Sequence, residues 1–185
     1  MKNENFDPEQ LIELDEINHE RDRLRESSNN DLVKIQNVEK VYSNGFKALS
    51  DITFGVEKGQ IFCFLGPNGA GKSTTFKILT AAEARSSGYV ELLGKAIDSG
   101  SYHIFDNVGI CPQYDPIWNE LNPIEHLRIY AMMKGVKKQN IPILIDFFLD
   151  ALMLRPFAKT KAGGLSGGNK RKLSAAMCLI GAPKL

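Results

Sequence analysis

The octapeptide GPNGAGKS at residues 66–73 stands between an apolar run, QIFCFL at 60–65, and a helix-compatible stretch, TTFKILTAA at 74–82. Its spacing is G-x-x-x-x-G-K-[ST], and both flanks are the ones the motif requires, a strand before it and a helix start after it. Gly66, Gly69 and Gly71 allow the backbone to take positive φ, which turns successive N–H groups inward as a concave nest for phosphate oxygens. The helix N-terminus that follows reinforces the nest, because its unpaired amides and aligned peptide dipoles favour an anion. Lys72 is placed to reach β- and γ-phosphates and the Ser73 hydroxyl to take one position on Mg²⁺. A chain carrying this element is constrained to an α/β fold, and the element alone does not choose among the enzymes and transporters that use it.

The rest of the chain is read around that loop. In DLVKIQNVEKVY, Val33 and Ile35 alternate with polar residues and Val38 and Val41 follow, predicting a strand with one covered face. ITFGV continues the β pattern, and QIFCFL, apolar throughout, reads as a strand buried on both faces. SGYVELLG is a returning strand after a Ser-Gly turn, and NVGICPQ a short buried strand ending near Pro112. Beyond about residue 120 the pattern turns helical, in PIEHLRIYAMMKGV, IPILIDFFLDALML and the segment after LSGG. Ile124, Leu127, Tyr130 and Ala131 can share one helical face, with Met132 and Met133 read as packing residues beside them.

With 185 residues, 43% of them hydrophobic and 24% charged, the chain is of ordinary globular composition. No apolar run approaches the roughly 18 to 20 residues needed to cross a bilayer. Lys and Arg number 23 against 22 Asp and Glu, so the basic excess of a nucleic-acid binder is missing and no nucleic-acid partner is expected. The balance is uneven, since residues 1–31 hold ten acidic and four basic side chains, and this part reads as a charged linker or solvated arm with a short helix around residues 11–26. Cys63, Cys111 and Cys178 are widely spaced beside apolar residues and read as buried, reduced thiols.

Three features accompany the loop in a set order: Tyr42 in KVYSNGFKAL upstream, Gln113 in GICPQYD downstream, and LSGG at a helix opening, with Ser166, Gly167 and Gly168. This order resembles the ATP-binding cassette (ABC) family. Its A subfamily, whose full-length members move lipids across membranes, is similar in GICPQYDPIWNELNPIEHLRIYAMMKGV and in SGGNKRKLSAAMCLIGAP, including Asn169 where most cassettes have Gln. LDEINHERDRLRESSNNDL is similar to the connector preceding a cassette in that subfamily.

The resemblance implies a P-loop NTPase of ABC type: a mixed-sheet core over about residues 32–118, then a helical subdomain with the signature helix over about 119–185. It implies ATP and Mg²⁺ as cofactors, Tyr42 stacking on adenine, and phosphate contacts from the loop residues Gly66, Pro67, Asn68, Gly69, Ala70, Gly71, Lys72, Ser73 and Thr74. Gln113 would reach Mg²⁺ and the attacking water, with Lys72 the other catalytic residue and Ser73 the other metal ligand. Ser166, Gly167 and Gly168 would meet the γ-phosphate of an ATP on a second cassette, two nucleotides being sandwiched between two domains. Asp115 and Trp118 lie where the family docks its membrane domain, with a packed Trp the alternative; Lys170, Arg171 and Lys172 read as a solvated helix face or a direct contributor.

The family's Walker B strand and switch histidine follow the signature helix, and His19, His103 and His126 match neither. The expectation is a cassette truncated before the Walker B strand, with a hydrophobic sheet edge unpaired, and not competent to hydrolyse ATP alone. Its setting would be the cytosolic face of a membrane, in a transporter whose partners are a second cassette and transmembrane domains. A non-hydrolysing nucleotide-binding module and a soluble ABC ATPase are the alternatives.

Overall fold

The computed structural model describes residues 8–25, 30–101 and 106–185. The chain divides into two compact units, Met1–Tyr102 and His103–Leu185. His103 lies outside the described residues.

In the first unit, α1 (Pro8–Arg25) precedes the strands β1 (Asp31–Val41) and β2 (Lys47–Glu57). α2 (Lys72–Leu79) follows, and then β3 (Ser87–Leu92) and β4 (Lys95–Ala96). The strands form one antiparallel sheet in the order β2-β1-β3-β4. β1 is central, pairing Ile35 with Phe54 of β2 and with Val90 of β3. Its alternation works as the sequence predicts, with Val33 and Ile35 buried, and then slips by one residue so that Val38 and Lys40 continue on the covered face. The slip is a bulge at Asn37, whose φ is 50°, held by its amide donating to Thr53 Oγ1 at 2.9 Å and its side-chain NH₂ donating to Asp51 at 2.8 Å. Burying Ile35 and Val90 completely contributes about 1.5–3 kcal/mol each.

QIFCFL does not form a ladder strand among the described residues. Ile61 is 97% and Leu65 90% exposed, and Phe62 and Cys63 are exposed as well, which corrects both the doubly buried strand and the buried thiol expected at Cys63. The run makes local contacts, with Phe62 stacked on Phe54 at 4.9 Å, Phe64 edge-on to both, and Gln60 hydrogen-bonded to the Glu57 backbone. An apolar run is buried on two faces only where strands flank it, and here none does.

α1 packs against β1 and β2, so its last turn is not in solvent as expected of an arm. Leu24 is buried, Arg23 reaches Glu20, Asp31 and Glu57, and Glu20 Oε1 accepts from the edge-facing amide of Gly55 at 2.7 Å. The helix can approach this closely because residue 55 has no side chain; a Cβ there would lie 2.6 Å from Leu24. The Arg23 guanidinium, and then the Gly55 amide, hold the Glu20 carboxyl below its ordinary range. A depressed carboxyl stabilises docking above its ordinary pKa of about 4.3, and that contribution is lost as pH falls through the lowered value. Glu20→Ala is accordingly expected to accelerate hydrogen exchange at the Gly55 amide at neutral pH, with the wild-type chain approaching the same rate only in acid.

The second unit is three helices, α3 (Pro123–Met133), α4 (Ile141–Ala151) and α5 (Gly167–Leu179). Asn122 caps α3 through a reciprocal pair, its side chain accepting from the Glu125 amide at 3.0 Å while the Glu125 carboxylate accepts from the Asn122 amide at 2.8 Å. Leu127 and Ala131 of α3, Ile145 and Leu149 of α4, and Leu173, Ala176 and Met177 of α5 make the core, with Leu154 beside them. Met132 and Met133 are 55% and 72% exposed, which corrects their reading as packing residues: they fall past the face set by Leu127 and Ala131. NVGICPQ is not a ladder strand either; it is extended enough for Gly109 to donate to Leu185 and Lys184 to Asn107, at 2.8 and 2.7 Å. Cys111 and Cys178 are partly exposed and, like Cys63, free.

Candidate functional site

In the first unit the loop has the backbone that its glycines promise. Gly66, Gly69 and Gly71 take φ of 153°, 88° and 85°. Between them Pro67, Asn68, Gly69 and Ala70 close a tight turn through the Ala70 amide and the Pro67 carbonyl, 3.3 Å. Gly71 is the N-cap of α2, and its carbonyl accepts from both the amide and the hydroxyl of Thr75, at 2.9 and 3.1 Å. Thr75, itself buried, therefore locks the loop to the helix, a role not assigned to it from sequence. Its signal was present as the threonine four residues after the last glycine, where a helical hydroxyl can reach back one turn.

Gly71 is also fixed from outside. A Cβ there would sit 2.4 Å from Leu49 Cδ2 and 2.9 Å from the Ala48 carbonyl oxygen, so β2 and the loop meet at this residue without space for a side chain. Lys72 folds along the loop, its Nζ donating to the carbonyls of Gly66 and Pro67 at 2.6 and 2.7 Å. Its positive charge is thereby held over the nest. A cavity of about 210 Å³ is lined by Asn68, Gly69, Gly71, Lys72, Ser73 and Thr74 together with Phe46 and Ala48. Ser73 is exposed, so its hydroxyl is accessible to a ligand. A fixed ammonium, a helix N-terminus and a nest of amides make this cavity fit for a polyphosphate, and the accessible hydroxyl suits the magnesium that accompanies one.

Tyr42 is at the end of β1, with its ring beneath the Lys40 ammonium at 4.9 Å and nearly parallel to Phe46, 18° apart with centroids at 6.4 Å. The first unit thus holds Tyr42 and the entire phosphate loop. Gln113 and the Ser166–Gly168 segment belong to the second.

In that second unit Gln113 is exposed, and the segment around it is tied to α5. Arg171 donates to the Pro112 carbonyl and faces Asp115 Oδ1 at 3.4 Å, and the Ser174 hydroxyl donates to the same Asp115 oxygen at 2.8 Å. Arg171, though exposed, ties α5 to the segment around Gln113. The spacing of Arg171 and Ser174, three apart on one helix face, was the available signal. Trp118 packs, stacking on His126 at 5.6 Å. His126, fully buried, accepts from the Trp118 amide through Nε2 and pairs through Nδ1 with the Asn122 carbonyl, which gives it a structural role.

Ser166 is the N-cap of α5, its hydroxyl accepting from the Asn169 amide at 3.3 Å. Gly167 and Gly168 are exposed helical residues, and a Cβ on either would meet nothing within 4 Å. Glycine in a helix costs roughly 1 kcal/mol relative to alanine. Nothing among the described residues requires that cost, since neither residue has positive φ nor a close neighbour there.

Residues 49–185 match the family model described as ABC transporter. The chain belongs to that family. Among its relatives, the bovine "Retinal-specific phospholipid-transporting ATPase ABCA4" is 40% identical over 175 residues, 94% of this chain and 8% of that protein. The human "ATP-binding cassette sub-family A member 2" is 38% identical over 173 residues, 91% of this chain and 7% of that protein. The "ABC transporter A family member 9" of Arabidopsis thaliana is 41% identical over 142 residues, 76% and 15%. This chain thus spans well under a fifth of the length of these A-subfamily relatives.

Solved cassettes agree in fold. An "ATP binding subunit of ABC transporter" superposes with a TM-score of 0.73 at 25% identity, covering 82% of this chain and 63% of the other. The ADP- and Pi-bound dimeric cassette MJ0796 does so with a TM-score of 0.71 at 23% identity over 82% of this chain and 70% of the other, a likeness of fold alone. The α/β cassette expected from the loop and LSGG is the fold found.

Proposed function

We propose that this chain is an ATP-binding portion of an A-subfamily ABC transporter, in which a pair of cassettes couples ATP hydrolysis to movement of a lipid across a membrane. The observation that carries the reading is the phosphate loop, with Lys72 fixed over a nest of amides beside Ser73. ATP would lie with its phosphates in this cavity and its adenine against Tyr42. Ser73 would hold a magnesium ion, which would supply charge neutralisation at the phosphates.

The bare amides of Gly167 and Gly168, at an exposed helix N-terminus, suit the phosphate of an ATP held by a second cassette. Turnover then belongs to the pair, and this chain alone binds ATP without hydrolysing it. Lipid as cargo, and with it a position at the cytosolic face of a membrane beside transmembrane domains, draws support from the phospholipid-transporting relative.

Lys72→Ala is expected to weaken MgATP binding by the 185-residue chain at least a hundredfold in equilibrium titration. The variant removes the one ammonium at the cavity while the fold, whose core lies elsewhere, is kept. Equal affinity in variant and wild type would remove the basis of the reading.

A further inference from the structure

We propose that Phe46 is a second nucleobase-contacting residue, sharing the base with Tyr42 at the mouth of the phosphate cavity. The inference rests on the reading of the loop as a nucleotide site.

Its basis is the turn joining β1 to β2. Gly45, with φ 81°, donates to the Tyr42 carbonyl at 2.9 Å, and the Tyr42 amide donates to the Phe46 carbonyl at 2.9 Å. Asn44 Oδ1 accepts from the Phe46 amide at 3.0 Å. These three bonds close YSNGF into a fixed loop that sets both rings on one side, their planes 18° apart. The centroid separation of 6.4 Å is near the outer limit for a direct aromatic pair, about 7 Å, so the two rings do not satisfy each other's faces.

Phe46 is 58% exposed, yet it lines the same cavity as Asn68, Gly69, Gly71, Lys72, Ser73 and Thr74. An apolar ring half in water at the rim of a polar, phosphate-sized cavity suits a ligand with a charged tail and a flat, apolar head. The cavity itself, about 210 Å³, takes the tail. The head then falls at the rim, where Phe46 stands with the Tyr42 ring 6.4 Å from its own. Lys40 anchors the Tyr42 side, being held by Glu83 at 2.8 Å and the Ala84 carbonyl at 2.6 Å while its ammonium sits over the ring. Tyr42 is thereby restrained before any ligand arrives.

Both rings offer π-faces, and neither reads the edge of a base. Stacking of this kind is sequence-tolerant. ATP and GTP should accordingly depend on Phe46 to the same degree.

The test compares MgATP, MgGTP and magnesium tripolyphosphate, which lacks a base, in equilibrium titrations of the 185-residue chain. Phe46→Ala is expected to weaken ATP and GTP alike by about five- to hundredfold, the range found for truncating a base-stacking aromatic. Tripolyphosphate binding should stay unchanged, and Phe46→Tyr should restore ATP affinity. Lys72→Ala should lose all three ligands. Unaltered ATP affinity in Phe46→Ala overturns the proposal, as does an equal loss of ATP and tripolyphosphate, which would make Phe46 a support for the loop. A wild-type chain that takes neither ATP nor tripolyphosphate overturns the nucleotide reading beneath it.

Discussion

Ser166→Arg is expected to leave ATP binding by a single cassette intact and to stop turnover by a cassette pair. Ser166 is exposed, and its hydroxyl accepts from the Asn169 amide while its backbone carbonyl, which any residue supplies, accepts from the Lys170 amide, so the substitution costs the fold a helix cap, about 1 kcal/mol. α5 remains anchored by Leu173, Ala176 and Met177, all buried. What changes is the space over Gly167 and Gly168, where among the described residues an added Cβ meets no atom within 4 Å. An arginine there occupies the place proposed for the partner's phosphate with a bulky side chain. The comparison is ATP affinity in the isolated chain against ATPase activity of the intact two-cassette protein. Ser166→Ala, which opens the cap without filling the space, should retain a substantial part of the turnover. Full activity in Ser166→Arg would refute the assignment of LSGG to a shared site.

Gly71→Ala should be the most damaging single-methyl change in the loop. The residue has φ 85°, where an L-residue is disfavoured by roughly 1–2 kcal/mol. Its added Cβ would also overlap Leu49 and the Ala48 carbonyl at 2.4 and 2.9 Å. Leu49 is only 2% exposed and cannot yield without opening the sheet unit, so overpacking adds about 1–3 kcal/mol. Loop and α2 N-terminus must shift together, and the ATP affinity of the chain should fall at least tenfold, with faster amide exchange at Thr75. Gly69→Ala separates the two causes: φ is 88° but no atom lies within 4 Å, so only the backbone cost applies and the loss should be smaller.

These two sites show what the sequence could and could not reveal. The loop was legible because its geometry is local: three glycines, one lysine and one serine at fixed spacing determine a turn and a helix start. β1 was legible by alternation as far as Ile35, but the bulge at Asn37 depends on Thr53 and Asp51 across the sheet, which periodicity does not report.

QIFCFL illustrates the opposite error. Hydropathy says what a segment would prefer to touch, and a doubly buried strand also needs strands on both sides, which are not found for it among the described residues. α1 was misjudged for a related reason. Its charged residues suggested a solvated arm, yet Glu20, Arg21 and Arg23 are engaged with the β1–β2 ribbon, through the Gly55 amide, Asp51, Asp31 and Glu57.

Arg171 was hidden in a run of like charges, Lys170-Arg171-Lys172, in which only position on the helix separates the residue facing Pro112 from its neighbours. Phe46 was passed over because a lone exposed aromatic is unremarkable until its distance to the phosphate loop is known.

The central claim is that this chain contains one phosphate site it fills by itself and half of another that it does not. Hydrogen exchange of the 185-residue chain at low micromolar concentration, with and without MgATP, tests both halves together. With MgATP the amides of residues 69–74 should become protected while those of Gly167, Gly168 and Asn169 exchange at an unchanged rate. Protection at Gly167 and Gly168 in the monomeric chain, or no protection at the loop, would contradict it.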